Sequence, residues 1–331
     1  MKVGLAYDLR DDYLKLGFSK EETAEFDKPE TIAGIESSLR ALGHETERIG
    51  HGKALVSALA AGKRWDLVFN IAEGMVGLGR ESLVPCLCEA YQIPYTFSDP
   101  MVLALSLHKG MCKRVIRDLG VPTADFHVVE TQEDLARVDL PFPLFVKPVA
   151  EGTGKGISDQ SLIRDRPQLV RVCLDLLARF QQPVLVETFL SGREFTVGVV
   201  GTGPAARVVG GMEVLFNQNV DVIYSYDNKE NYEEKVRYRP IDEPAISKPV
   251  YDVAIRAWRG LCCRDGGRVD IRMDAQGQPM FIEVNPLAGL NPVHSDLPIL
   301  ARLAGWDYGR LIGEIMESAI QRASDARTHR S

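Results

Sequence analysis

The run Phe281-Ile282-Glu283-Val284-Asn285 sets a carboxylate and an amide two residues apart in an apolar stretch. Side chains alternate across a strand, so Glu283 and Asn285 point to one face. A second run, Arg268-Val269-Asp270-Ile271-Arg272-Met273, is joined to it through Ala275-Gln276-Gly277-Gln278, a hairpin-like connection. Pairing the two runs lets Asp270 face the same spot. Two carboxylates and an amide oxygen make a hard oxygen site, suited to Mg²⁺ bridging phosphates. Upstream, Phe145-Val146-Lys147-Pro148 leads into Glu151-Gly152-Thr153-Gly154-Lys155-Gly156. Glycines there let backbone N–H groups close over phosphate, and Lys147 supplies a fixed cation. Between these segments, the apolar run 184–190 carries Glu187, and Glu194 follows a Ser-Gly-Arg turn. Taken singly, a glycine loop is an ordinary turn, and a strand acid is solvated or half of a surface ion pair worth little. The ordered set points to nucleotide and metal chemistry.

Two better-known phosphate motifs fail on context. Gly201-Thr202-Gly203-Pro204-Ala205-Ala206 fits G-x-G-x-x-A, with Asp221 twenty residues on. A dinucleotide fingerprint needs a helix to open there, whereas Arg207-Val208-Val209 continues as strand, so a hairpin turn is expected. The 151–156 loop is no Walker loop either. That motif needs glycine four residues ahead of Gly-Lys and Ser or Thr after it, and Val149 and Gly156 occupy those places.

Several elements must position these groups. Strand-like runs at 3–7, 65–70 and 93–96, with helical stretches at 31–42 and 81–91, predict a parallel α/β unit over residues 1–100. Gly43 is a fitting stop for the first of those helices. A helix is expected over 101–119. Beyond it the pattern becomes α+β with much antiparallel sheet: strands near 126–129, 144–149, 184–187, 194–200, 207–215, 268–273 and 280–284. Helices are expected at 167–180, 247–262 and 308–322.

Composition agrees with a multi-lobed globular chain. The 331 residues exceed one ordinary core, and 45% hydrophobic with 26% charged residues is usual for soluble proteins. Only the polar stretch 323–331 is expected to be disordered. The net charge of −7 does not favour polyanions, so no nucleic-acid partner is expected. Cys86, Cys88, Cys112, Cys173, Cys262 and Cys263 lack zinc-finger spacing and read as reduced thiols. The N-terminal apolar run is too short for a signal peptide and no stretch is long enough to cross a bilayer, which together predict a cytoplasmic protein without membrane contact.

The stretches SDPMVLALSLHKGMCKRVIRDLGVPT, PLFVKPVAEGTGKGIS, VLVETFLSGREFTVGVVG and GRVDIRMDAQGQPMFIEVNPLAGLNP resemble the D-alanine–D-alanine ligase family of ATP-grasp enzymes, over roughly residues 65–320. The resemblance implies an ATP-grasp fold: an N-terminal parallel α/β domain (1–104), a central ATP-grasp lobe (105–190) and a C-terminal lobe with the metal site (191–325). It implies ATP with Mg²⁺, or Mn²⁺ in its place, small amino-acid or amine substrates and a homodimer. Lys109 and Lys147 match lysines on the nucleotide phosphates, beside the loop residue Glu151. Glu187, Phe189 and Leu190 match the adenine hinge, and Glu194 the ribose acid. Asp270, Glu283 and Asn285 match the metal ligands. Arg268 and the Gly289 N–H match groups that stabilise a tetrahedral intermediate. Lys229 matches a phosphate lysine on a covering loop, expected over 217–234, and Thr153 stands for a serine near the first substrate.

The chain departs from that pattern on the substrate side. Tyr7-Asp8-Leu9-Arg10 replaces a Gly-Gly-x-Ser motif, and the acid expected to hold the first ammonium falls near Phe26, with Glu25 or Asp27 as candidates. Glu230 replaces a loop tyrosine, and Thr188 a hinge lysine. The segment holding Asn291, His294, Ser295 and Asp296, which meets the second substrate, is one residue longer. The expected reaction is ATP-dependent amide formation through an acyl phosphate. The departures favour an amino-acid ligase outside cell-wall synthesis. The alternatives are a true D-alanine–D-alanine ligase and a non-catalytic nucleotide-binding regulator, the latter disfavoured by the intact Arg268, Asp270, Glu283 and Asn285.

Overall fold

The structure, a computed structural model, describes residues 1–216 and 236–328. The chain opens with β1 (Lys2–Tyr7), α1 (Arg10–Lys15), α2 (Pro29–Ala41), β2 (Glu45–Gly50), α3 (Gly52–Ala60), β3 (Leu67–Ile71) and α4 (Leu83–Ala90). The strands form a parallel sheet in the order β2-β1-β3. Every residue of β3 is buried, the signature of a parallel strand covered on both faces. The expected strand at 93–96 is reduced to one bridge, Val68 to Tyr95. Strand β2 was not legible, because Glu45-Thr46-Glu47-Arg48 is polar and only half-buried at the sheet edge.

The helix expected over 101–119 is two helices, α5 (Pro100–Leu107) and α6 (Lys109–Asp118). His108 leaves the helical region (ψ 86°), and its ring nitrogen accepts the Met111 N–H at 3.2 Å, capping α6. The break sets Lys109 at the first turn of α6. A four-stranded sheet follows: β4 (Phe126–Val129), β5 (Leu144–Pro148), β6 (Leu162–Ile163) and β7 (Val184–Thr188), ordered β4-β7-β5-β6, with α7 (Arg166–Phe180) packed on it.

The last sheet holds β8 (Glu194–Val200), β9 (Arg207–Phe216), β10 (Val236–Pro240), β11 (Gly266–Met273) and β12 (Pro279–Asn285), ordered β10-β9-β8-β11-β12. As expected, 201–206 is a hairpin connection between antiparallel β8 and β9. Helix α8 (Pro244–Gly260) covers one face through Trp258, and α9 (Asp296–Leu303) follows β12. Gly267 on β11 permits that packing, since a Cβ there would lie 2.5 Å from the Asn285 carbonyl and 2.8 Å from the Trp258 ring.

Helix α10 (Tyr308–Thr328) runs past the expected end at Arg322, so most of the tail expected to be disordered is helical. A buried acid anchors the helix as far as Arg322. Asp265, fully buried, accepts the Phe97 N–H at 2.8 Å, the Ser318 hydroxyl at 2.8 Å and the Arg322 guanidinium at 2.6 Å. Leu311, Ile312, Ile315, Met316 and Ala319 of α10 share one apolar core with Val3, Leu5, Ile35 and Phe69 of the N-terminal unit. We propose 1–104, 105–190 and 191–325 as the structural units, with α10 completing the core of the first. Ile315→Ala should cost about 2–5 kcal/mol, read by chemical denaturation. It should also speed amide exchange in β1, at Val3 and Leu5. Unchanged exchange there would mean that α10 does not support the first sheet.

Candidate functional site

The two antiparallel sheets face a cleft that opens into a cavity of about 530 Å³ against the N-terminal unit. At the far end of the cleft, Phe145 and Phe189 lie with ring centroids 6.5 Å apart, and the Arg272 guanidinium sits 5.1 Å over Phe189. Arg272 also reaches Glu194 at 3.3 Å. Leu190 is buried beside them. This is a flat apolar slot with a carboxylate at its edge, fitting a purine and a ribose.

Next to the slot, Glu187 lies between two lysines, with Lys113 at 2.8 Å and Lys147 at 3.1 Å. Burial would raise the Glu187 pKa, but the two cations outweigh it and hold the acid below the usual carboxylate range. Burial pushes Lys113 down despite Glu187, while Lys147, likewise opposed by burial, is raised by Glu187 and Glu283. Lys113 was missed in the sequence. It lies four residues after Lys109, on the same face of α6, and that spacing was the available signal. Lys113 donates to the Thr123 hydroxyl, which donates to the Phe281 carbonyl of β12, tying the lysine pair to the metal-candidate strand.

The glycine loop follows. Lys109 donates to the Glu151 carbonyl at 2.6 Å and lies 3.5 Å from Glu283. Thr153 adopts φ 50°, and its hydroxyl is buried with no hydrogen-bond partner among the described residues. A buried orphan hydroxyl beside cavity-lining lysines and loop N–H groups fits a phosphate or carboxylate group.

In the β11–β12 hairpin, Asp270 is the direct partner of Glu283, and Arg268 that of Asn285. Asp270 accepts from the Thr196 hydroxyl at 3.0 Å and the Asn285 amide at 3.2 Å, and it pairs with Arg268. Arg268 also lies 3.6 Å from Asp296, whose carboxylate accepts the Tyr238 hydroxyl. Among the described residues no cluster of three or more His, Cys, Asp or Glu could hold a metal ion. Two carboxylates and one amide therefore fit a cation that takes its remaining oxygens from a bound phosphate chain, and do not fit a closed protein site. Asp270, Glu283 and Asn285 would hold it.

The cavity has two further walls. On one, Asn291, His294, Ser295 and Asp296 line a turn in which the Ser295 hydroxyl accepts the Asn291 N–H at 2.9 Å, and the Asn291 side chain accepts the His294 N–H at 3.1 Å. Gly289 lies against it, its Cβ position 2.8 Å from the Ser295 hydroxyl. On the other wall, Glu25 rather than Asp27 meets the glycine loop. Its carboxylate accepts the Gly152 N–H at 2.6 Å and pairs with Arg80 at 2.8 Å and Lys155 at 3.2 Å. Burial opposes its charge, yet Arg80 and Lys155 bring its pKa down to about 2. Glu73, Arg80 and Glu81 line the same wall and were missed. The acid Glu73 at the end of a buried strand was the only cue. Lys229, Glu230 and the expected covering loop 217–234 lie outside the described residues.

Every other expected site residue thus lines one continuous cleft and cavity. The family described as "D-ala D-ala ligase C-terminus" matches residues 115–317. The chain belongs to the D-alanine–D-alanine ligase family. The D-alanine–D-alanine ligase of Bordetella petrii is 33% identical over 289 residues, spanning 86% of this chain and 85% of that protein. That of Aquifex aeolicus is 32% identical over 288 residues, spanning 86% and 93%. The crystal structure of D-alanine–D-alanine ligase from Bacillus anthracis complexed with ATP covers 98% of this chain and 99% of its own, with a TM-score of 0.76 at 22% identity. The fold is therefore ATP-grasp, and this member of the D-alanine–D-alanine ligase family is an ATP-using ligase that forms C–N bonds. No helix among the described residues is long and apolar enough to cross a membrane.

Removing the acid of the lysine pair gives a direct check on this electrostatics. Glu187→Leu should destabilise the protein by about 3–5 kcal/mol, because it strands two buried cations. Adding Lys113→Met should recover part of that loss. Equal melting temperatures for the single and double variants would show that the lysine is not paying a burial cost.

Proposed function

We propose that the protein makes D-alanyl-D-alanine or a closely related dipeptide from ATP and two amino acids. The curated relatives favour D-alanine at both positions over a ligase remote from cell-wall chemistry. The observation that carries the reading is the placement of Arg268. It lies on one hairpin with Asp270 and Glu283, at the junction of the nucleotide cleft and the substrate cavity.

A carboxylate is a poor acyl donor because oxide would have to leave. Transfer of the γ-phosphate to it gives an acyl phosphate, and attack by the acceptor's amine then expels phosphate. A Mg²⁺ ion held by Asp270, Glu283 and Asn285 would neutralise charge on the transferring phosphate. Lys109 and Lys147 bind and orient the phosphate chain, Glu194 and Phe189 the nucleoside. Arg268 and the Gly289 N–H would stabilise the oxyanion formed when the amine adds. Glu25 or its neighbours would hold the donor's ammonium, and residues 291–296 the acceptor's carboxylate. The loop residues Lys229 and Glu230 are proposed to cover the site and exclude water. A cytoplasmic homodimer is the expected setting.

ADP release coupled to dipeptide formation, followed by mass spectrometry over a panel of D- and L-amino acids, tests the reading. ADP release without any dipeptide, or none with any amino acid, would overturn it. Asp270→Asn should abolish turnover by removing a hard anionic ligand. Near-normal activity in that variant would refute the metal assignment. Arg268→Lys should bind ATP almost normally while losing about 10²–10³ in kcat, since a point charge does not reproduce guanidinium geometry. A variant that lost ATP affinity but kept its rate would refute the oxyanion role.

A further inference from the structure

The N-terminal unit lines the cavity with four acids, Glu25, Asp27, Glu73 and Glu81, and three cations, Arg10, Lys28 and Arg80. Arg10 donates to the Lys20 carbonyl, and Lys28 is exposed. Arg80 is committed, one guanidinium nitrogen donating to the Ala150 carbonyl at 2.9 Å and another to Glu25 at 2.8 Å. Lys155 is taken by Glu151 at 2.5 Å and Glu25 at 3.2 Å. Lys109 is taken by the Glu151 carbonyl and by Glu283. Glu25 has partners on both oxygens.

Glu73 and Glu81 stand apart from this network. Both line the cavity, and neither side chain makes a hydrogen bond or ion pair with any described residue. Glu81 is only 9% exposed. A buried carboxylate without a partner is costly unless it takes up a proton or receives a cation. Both acids show this stress. Burial, then the neighbouring Glu81 and Glu25, push Glu73 well above the carboxylate range. Burial, offset by Arg80 but reinforced by Glu25, brings Glu81 to about 7. Asp27, on the same wall, is raised to about 7 chiefly by burial. A donor such as D-alanine brings one ammonium and returns one carboxylate to the cavity. It leaves at least one of these acids unmatched.

We infer that Glu73 and Glu81 form a cation subsite in the donor pocket and select a donor amino acid with a second, side-chain ammonium. The inference rests on the ligase reading for the reaction and for the donor's position, and it assigns the specificity-determining residues. An ammonium presents three donors and matches two carboxylates lining one cavity, whereas the alanine methyl offers them nothing. A cation beside them favours the ionised carboxylates, so binding such a donor favours proton release.

The test uses the full chain with ATP, Mg²⁺ and saturating D-alanine as acceptor. The donors compared are D-alanine, D-2,3-diaminopropionate, D-2,4-diaminobutyrate and D-ornithine, with fragmentation mass spectrometry to show which residue is N-terminal in the product. One diamino donor should exceed D-alanine at the N-terminal position by about tenfold or more in kcat/KM, the factor expected for one well-placed polar contact. Glu73→Gln and Glu81→Gln should erase that ratio, lowering kcat/KM for the diamino donor far more than for D-alanine. Calorimetric titration in buffers of different ionisation heat should show proton release with the diamino donor in the wild type. D-alanine used as donor equally well or better, or variants that lower both donors by one common factor, would overturn the inference. Efficient D-alanyl-D-alanine synthesis without diamino incorporation sinks this inference and leaves the ligase reading standing; no ligation with any donor sinks both.

Discussion

A cleft that gathers lysines for phosphate must bury like charges in a poorly polarisable wall. Lys109, Lys113, Lys147 and Lys155 are each less than one-tenth exposed. Such cations persist only where an anion stands close. Glu187 serves Lys113 and Lys147, Glu151 serves Lys155, and Glu283 serves Lys109. These acids come from three different stretches of chain. The nucleotide cleft is therefore also a junction that fixes the central lobe, the glycine loop and the β11–β12 hairpin relative to one another. The cations are held in place by acids that arriving phosphates can relieve, so the site is organised in advance of its ligand.

The same reasoning separates the two ends of the cavity. Toward the nucleotide, acids and cations are matched. Toward the N-terminal wall, Glu25, Arg80 and Lys155 close a network of their own and leave Glu73 and Glu81 outside it. The departures seen in the sequence fall on that side and on the turn at 291–296. The groups expected to meet ATP keep the family pattern, apart from Thr188 in place of the hinge lysine.

The chemistry of the site was more legible than the scaffold around it. Asp270, Glu283 and Asn285 were readable because strand alternation is a short-range rule, while the pairing of Asp270 with Glu283 also needs a bulge next to Asp270 that the turn does not set. The hinge and glycine loop were readable for the same reason. Arg80 was not, because its meaning depends on contact with Glu25 and the Ala150 carbonyl, far away in the chain, and Glu73 and Glu81 were not, because only the fold brings them to the cavity. The polar edge strand β2 and the break at His108 were also missed. The first lacks an alternating pattern, and the second is a cap set by one side chain inside a continuous helical pattern. The tail was misjudged on composition: its residues are polar, yet those to Thr328 continue α10 with local contacts such as the Gln321 amide donating to Asp325.

Helix α10 has a consequence for how the protein comes into being. The first sheet, from β1 to β3, is completed by Leu311, Ile312, Ile315 and Met316, residues synthesised long after it. A nascent chain emerging from the ribosome would carry that sheet with an apolar face uncovered until α10 was made. Its early folding is thus open to chaperone capture, and the order of synthesis and the order of assembly run in opposite directions.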